Sequence, residues 1–227
     1  MTRASRPAQE ELFDSGSAPA GSREPLEPGA FVLRAFAVEE APALLDAIGL
    51  VAQAAPLRRM TTARGWRMSV AMTDCGDVGW LSDRGGYRYD RIDPQTRRPW
   101  PAMPEAFAHL ATRAASAAGF DRFVPDACLV NRYEPGTRLT LHQDRDEPDF
   151  AAPIVSVSLG VPASFLWGGA SRAGRLRRVR LEHGDVVVWG GPARLNFHGI
   201  DTLREGHHAL TGSTRFNLTF RRALLER

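Results

Sequence analysis

The spacing of apolar and polar residues changes rhythm along this chain, and each change predicts an element. FVLRAF, at 31–36, reads as a first strand. EEAPALLDAIGLVAQAA, from 39 to 55, repeats apolar positions at helical intervals, and MPEAFAHLATRAASAAG does so again over 103–119. Residues 60–100 follow neither period: aromatic and glycine residues mix with arginine, which predicts short strands and a long excursion of the kind that forms a lid. From 126 onward the rhythm is of period two. ACLVNRY, PIVSVSLG, ASFLWGG, RLRRVRLE, DVVVWGG and TRFNLTFR are separated by turns carrying Gly, Pro or Asp, with EHGD at 182–185 as a hairpin connection. Strands at such spacing predict an antiparallel sandwich or barrel.

The ends and the composition narrow this picture. Residues 1–28 are rich in Pro, Ser, Gly and charge and are expected to be a flexible leader, with ELF at 11–13 as its one anchor. Residues 29–227 are expected to form a single domain, with a lid over about 60–100 and a β core over about 126–221. No apolar run approaches the roughly 18 residues of a membrane span, and no secretory signal opens the chain, so a cytoplasmic protein with no membrane partner is expected; a monomer with no obligate protein partner is expected as well. Cys75 and Cys128 lack CxxC spacing and sit among apolar residues, which predicts a buried pair of reduced thiols. All 29 basic residues are arginine, excluding a lysine nucleophile or Schiff base. The guanidinium groups permit nucleic-acid binding without establishing it, and a bias in codon usage accounts for them equally well.

Candidate chemistry begins at LHQDRDE, 141–147. A lone H-x-D is a weak signal. If the segment is extended, however, His142 and Asp144 share a face with Cα atoms about 6.6 Å apart, close enough to bind one ion. A third ligand must come from another strand. His109 falls on a helix, His183 in a hairpin turn, and His207 and His208 form a polar loop pair; each is expected to face solvent or be satisfied by neighbours. His198, in NFHGI after the DVVVWGG strand, is placed to point inward. Two imidazoles and one carboxylate leave three cis positions open on an octahedral ion, which suits non-haem Fe(II). A zinc hydrolase could use the same set.

TRFNLTFR adds a second constraint. Alternation puts Phe216, Leu218 and Phe220 on one face and Arg215, Asn217, Thr219 and Arg221 on the other. An ordinary strand would turn that polar face to water. Here it carries two arginines and an amide with no acidic partner on the strand, and over a span of about 20 Å two long arginines can bracket a small dicarboxylate. Asn131 and Tyr133 likewise share a face. Arg, Tyr and Asn around a carboxylate, beside a metal with open sites, is what 2-oxoglutarate requires.

Taken together, NRYEPG, LHQDRDEPD, PIVSVSLG, LEHGDVVVWGG, FHGI and RFNLTFR resemble the AlkB-type Fe(II)/2-oxoglutarate dioxygenases that repair alkylated nucleic acid, from about residue 30 to the C-terminus. The resemblance implies a mainly β fold with flanking α-helices, a double-stranded β-helix (jelly roll) with an N-terminal nucleotide-recognition lid. It implies iron ligands at His142, Asp144 and His198. It implies 2-oxoglutarate contacts at Asn131, Tyr133, Leu139, Arg215, Asn217 and Arg221, with Arg215 on the remote carboxylate and Arg221 nearer the metal, at the C1 carboxylate or at Asp144. In the lid, Trp80 would stack on an extruded base opposite His142, and Tyr87 would reach a phosphate. Met68 and Arg172 match substrate positions, and Asp146 and Glu147 would stand at the pocket mouth, favouring a cationic lesion over the neutral base.

The implied reaction is oxidative demethylation of 1-methyladenine and 3-methylcytosine type lesions with O₂ as oxidant, releasing aldehyde, succinate and CO₂. Single-stranded DNA is the expected substrate, because extruding a base costs least there, with double-stranded DNA or RNA as further substrates. Three residues depart from the family pattern: Trp66 stands where a lid tyrosine is frequent, Trp167 where a smaller aromatic is common, and Phe216 in place of a tyrosine. The rival readings are a dioxygenase of the same superfamily acting on protein or a small molecule, a catalytically silent nucleic-acid-binding jelly roll, and a cupin-type isomerase.

Overall fold

The computed structural model describes residues 20–225; the ELF segment and the rest of the expected leader up to 19 lie outside the described residues. The chain opens with an antiparallel hairpin, β1 (Arg23–Glu27) and β2 (Ala30–Leu33), followed by helix α1 (Ala41–Ala54). Next come β3 (Ala71–Gly76), a second hairpin of β4 (Gly79–Asp83) and β5 (Gly86–Asp90), and helix α2 (Glu105–Ala117). The remaining strands are β6 (Ala127–Tyr133), β7 (Leu139–His142), β8 (Ile154–Gly160), β9 (Ala163–Trp167), β10 (Arg177–Leu181), β11 (Val186–Trp189), β12 (His198–Ile200) and β13 (Arg215–Arg221).

These strands form a seven-stranded sheet of order β1-β2-β11-β8-β13-β6-β3, a four-stranded sheet of order β10-β9-β12-β7, and the separate β4–β5 hairpin. Every paired strand runs antiparallel to its neighbour. Alternation gives the large sheet two apolar faces. Its outer face, including Val130, Val155, Val157, Val188, Leu218 and Phe220, is covered by Leu44, Ile48, Phe107 and Leu110 of the two helices. Its inner face, with Met72, Leu129, Ile154 and Trp189, meets Phe165, Trp167, Val179 and Ile200 of the small sheet. A sheet hydrophobic on both faces must be covered on both, which is why the helices pack on one side and the small sheet on the other. No helix among the described residues is long and apolar enough to cross a membrane.

Three boundaries differ from expectation. Arg23–Glu27, placed in the flexible leader, are an edge strand of the large sheet. The turn closing that hairpin carries Gly29 at φ 84°, where a Cβ would lie 2.5 Å from the Gly190 carbonyl oxygen, so only glycine fits. FVLRAF leaves the sheet after Leu33: the Ala35 N–H donates to Asp185 Oδ1, and Arg34 pairs with Asp185 and Glu24 instead of continuing the ladder. Within the expected lid, Ala71–Gly76 belong to the large sheet beside β6, in register Cys75↔Cys128. Both cysteines are free and buried, as their apolar flanks predict.

Candidate metal centre and cosubstrate pocket

The short strand β12 lies between β9 and β7 and pairs His198 directly with His142. Asp144 follows two residues after His142, where β7 has ended and the chain turns inward. One ligand atom from each of His142, Asp144 and His198 lies within 4.8 Å of the others. His142 Nε2 stands 3.7 Å from Asp144 Oδ1, and His198 Nε2 stands 3.9 Å from Asp144 Oδ2. His142 Nδ1 donates to the Thr140 carbonyl at 2.9 Å, and His198 Nδ1 to the Asn196 carbonyl at 3.1 Å. A carbonyl oxygen only accepts, so both protons sit on Nδ1 and both Nε2 lone pairs face the centre, as metal-ligating histidines require.

Charge prepares the site in the same sense. Burial, then the charge of His142, pushes the His198 imidazole down to about 3, so it is neutral at neutral pH and free to offer a lone pair. Burial alone would raise Asp144, but the Arg221 guanidinium, with His198, His142 and Arg194, more than offsets it and holds the carboxyl well below its usual range. Arg221 reaches Asp144 Oδ2 through Nε at 3.1 Å and Nη2 at 3.0 Å. Of the two placements expected for Arg221, it occupies the one on Asp144.

The polar face of β13 does not meet water; Arg215, Asn217, Thr219 and Arg221 are all buried. Arg215, only 1 % exposed, donates Nη2 to Ser158 Oγ at 3.0 Å and lies with Cζ 4.9 Å from the Tyr133 ring centroid. Its Nε and Nη1 have no hydrogen-bond partner, nor has the buried Asn131 Oδ1. No carboxylate among the described residues pairs with Arg215. A buried, unpaired guanidinium is costly unless an anion completes it, so the pocket fits a carboxylate acceptor such as that of 2-oxoglutarate. Leu139 is half-buried against the inner core cluster.

Asn217 departs from its expected role. Its Nδ2 donates to Ser156 Oγ and the Val157 carbonyl, and its Oδ1 accepts from Asn131 Nδ2 and Thr219 Oγ1. Both N–H groups and both lone pairs are used, so it orients Asn131 and has no polar atom left for a cosubstrate.

Glu147 requires a second correction. Expected at the pocket mouth, it is buried, pairing with Arg194 Nη2 at 3.0 Å and Arg221 Nε at 3.3 Å and accepting from the Tyr89 hydroxyl at 2.5 Å. Two guanidinium groups in a dry interior demand a carboxylate, and Glu147 supplies it. Asp146, by contrast, is exposed and accepts from Trp80 Nε1 at 2.9 Å. Trp80 stacks on Tyr87 with centroids 5.4 Å apart and planes 19° from parallel, and Tyr87 remains 51 % exposed. Met68 is half-buried against the inner core, and Arg172 is exposed with Cζ 5.9 Å from the Phe197 ring.

The sequence reading missed Arg194, Tyr89 and Ser158. Arg194 alone ties Glu147 to the carbonyls of Asp144 and Ala152. An arginine in ARLNFHGI, four residues before a candidate ligand, was the signal available for it. The other histidines stay away from the centre: His109 is exposed on α2, and His183 stacks on His208 with centroids 4.1 Å apart.

An antiparallel β shell holding two inward-facing imidazoles, one ionised carboxylate and a buried arginine without an anionic partner among the described residues defines a mononuclear non-haem metalloenzyme with an acidic cosubstrate. Comparison with known proteins gives the class its family. Residues 29–221 match the model of the 2OG-Fe(II) oxygenase superfamily. The alpha-ketoglutarate-dependent dioxygenase AlkB of Salmonella typhimurium is 59% identical over 201 residues, covering 88% of this chain and 93% of that one. The AlkB of Escherichia coli K12 is 58% identical over the same length and coverage. The solved structure of OsALKBH1 superposes with a TM-score of 0.74 at 28% identity, over 88% of this chain and all 100% of that one. The chain therefore belongs to the 2OG-Fe(II) oxygenase superfamily, among its AlkB-type members, and is an Fe(II)/2-oxoglutarate-dependent dioxygenase.

Proposed function

We propose that this enzyme is an oxidative demethylase of alkylated DNA, acting as a cytoplasmic monomer on 1-methyladenine and 3-methylcytosine type lesions, with single strands preferred and RNA accepted. The observation that carries the reading is the buried, unpaired Arg215 beside the His142–Asp144–His198 cluster. Iron with 2-oxoglutarate and O₂ would supply the oxidising power: one oxygen atom goes to the N-alkyl carbon, the other to succinate, with loss of CO₂. The hydroxylated N-methyl group then leaves as aldehyde.

The chain's own residues do the rest. His142, Asp144 and His198 hold the ion. Arg215, with Tyr133 and Asn131, holds the remote carboxylate of 2-oxoglutarate while Leu139 packs on its chain. Arg221 keeps Asp144 ionised and oriented. The double-stranded β-helix would present this centre beneath the separate β4–β5 hairpin, from which the Trp80–Tyr87 pair offers the base a stacking surface. Asp146 holds the Trp80 indole and places negative charge near a cationic lesion. Met68 and Arg172 would contact the substrate, and Tyr87 would reach a phosphate. Trp66, 74% exposed in the turn closed by the Thr61–Arg67 bridge, would offer a further aromatic surface.

The test is a short DNA strand carrying 1-methyladenine, given to anaerobically reconstituted Fe(II) protein and then to air, with and without 2-oxoglutarate. Loss of one methyl mass together with succinate, both absent with His142→Ala, is the expected result. Succinate without demethylation would move the substrate to protein or a small molecule.

A further inference from the structure

We propose that Glu27, on the N-terminal edge strand, is a positioning residue for the metal ligand His198. Glu27 touches neither the metal ligands nor the cosubstrate pocket, and it lies within the segment whose sequence suggests a flexible leader. One of its oxygens, Oε1, accepts two buried donors: the Trp167 indole Nε1 at 2.7 Å and the Asn196 side-chain amide. Each donor leads to His198 by its own route.

Through Asn196 the route is polar. Asn196 is buried, and its carbonyl is the acceptor that keeps the His198 proton on Nδ1. Fixing the Asn196 side chain fixes the backbone two residues before the ligand. Through Trp167 the route is steric. Trp167 is the cross-strand partner of His198, stacks on Phe165 at 5.8 Å and meets Trp189 edge-on at 6.0 Å. Those two rings wall His198, with centroids 6.1 and 4.7 Å away. A buried indole N–H needs an acceptor, which phenylalanine at this position would not. Trp167 therefore requires Glu27, and the ligand ring depends on both.

The placement of Glu27 is built into the hairpin. Glu27 faces Ala30 across the turn, after a register shift between Pro25 and Glu27, and Gly29 brings the turn against Gly190 and Pro192 at the start of the segment that runs on to Asn196. The Gly190 N–H donates to the Gly29 carbonyl at 2.9 Å. The N-terminal strand is thus joined by backbone and by carboxylate to the approach of the third ligand. Outer groups of this kind typically change metal affinity 10–100-fold when removed.

Co(II) titration of the full chain, followed by its visible ligand-field absorption, tests the assignment apart from catalysis. Glu27→Ala should weaken Co(II) binding about 10-fold or more and alter the band shape. Glu27→Gln keeps an acceptor oxygen and should stay within about threefold of the parent. Should Glu27→Ala fail to fold, Asn196→Ala, which cuts the polar route alone, replaces it and should weaken binding in the same direction. Unchanged affinity and spectrum in a folded Glu27→Ala or Asn196→Ala protein would overturn the proposal. So would Glu27→Gln binding as weakly as Glu27→Ala, since the cause would then be charge at a distance and not the tether. A parent that takes up no Co(II), or takes it up equally with His198→Ala, would instead overturn the metal reading on which this inference rests.

Discussion

Arg221 and Asp144 form a buried pair in which one carboxylate oxygen accepts from both Nε and Nη2 of the guanidinium, at 3.1 and 3.0 Å. The same Nε lies 3.3 Å from Glu147, whose other oxygen takes Arg194. A candidate metal ligand is therefore one member of a dry network of two cations and two anions. Breaking such a pair from one side leaves an uncompensated buried charge, at a cost of about 3–5 kcal/mol. Arg221→Gln should destabilise the metal-free protein by that order in urea denaturation. A loss below about 1 kcal/mol would mean that water reaches the network.

Arg215 should behave in the opposite way. It has no anionic partner among the described residues, so replacing it with methionine removes a burden from the metal-free protein. Arg215→Met is expected to leave the melting temperature unchanged or raised. Calorimetry with the Mn(II)-loaded variant should show 2-oxoglutarate binding weakened about 10–100-fold, the equivalent of a lost charged hydrogen bond. Equal 2-oxoglutarate affinity in the two proteins would remove Arg215 from the pocket.

Asp74 gives the fold a pH dependence of its own. Burial raises its carboxyl to about 7, against the Trp80 backbone N–H and the charges of Arg221 and Arg58. The folded value exceeds the unfolded one, so between about pH 4 and pH 7 the native state holds a proton that the unfolded chain has released. The Asp74 contribution to stability should fall as pH rises through that window, by up to about 1.4 kcal/mol per pH unit, and level off above it, against the opposite slope from His198, which stays neutral in the fold. Asp74→Asn can still accept from Trp80 and should remove this falling component alone. Parallel urea-midpoint profiles for the two proteins from pH 4.5 to 8 would contradict this.

The lid predicts a separation of binding from chemistry. Trp80→Ala should weaken binding of a methylated single strand by about 1–3 kcal/mol, roughly 5–150-fold, through lost stacking. Asp146→Asn still accepts from the indole but loses its charge, so its effect should be confined to cationic lesions. Fluorescence anisotropy with 1-methyladenine and unmodified strands would register the difference. A uniform loss on both strands would assign Asp146 to the fold instead.

Several features were legible because they are local. Period-two alternation in TRFNLTFR sorted Phe216, Leu218 and Phe220 from Arg215, Asn217, Thr219 and Arg221 without any partner strand, and the helices covering the large sheet followed from their apolar spacing. His142 and Asp144 could be paired from a two-residue interval. His198 could be added because it stands at a strand end.

What lay beyond the sequence was every relationship set by distant partners. Alternation says that Arg215 and Glu147 are polar, but whether a polar residue faces water or a dry pocket depends on which strands flank it. Glu147 belongs to the interior because Arg194 and Arg221 arrive from 47 and 74 residues away, counting by residue number. Asn217 is saturated because β6 and β8 bring Asn131 and Ser156 to either side. Glu27 sits in a stretch that composition marks as leader, and only the closing of β1 onto β2 carries it to Trp167 and Asn196. The chain by itself determined the helices, most strands of the β core, the candidate ligand types and the family, because these are written in short-range spacing. The tertiary structure alone decided which charges are buried and who neutralises them, because desolvation depends on the whole surrounding shell.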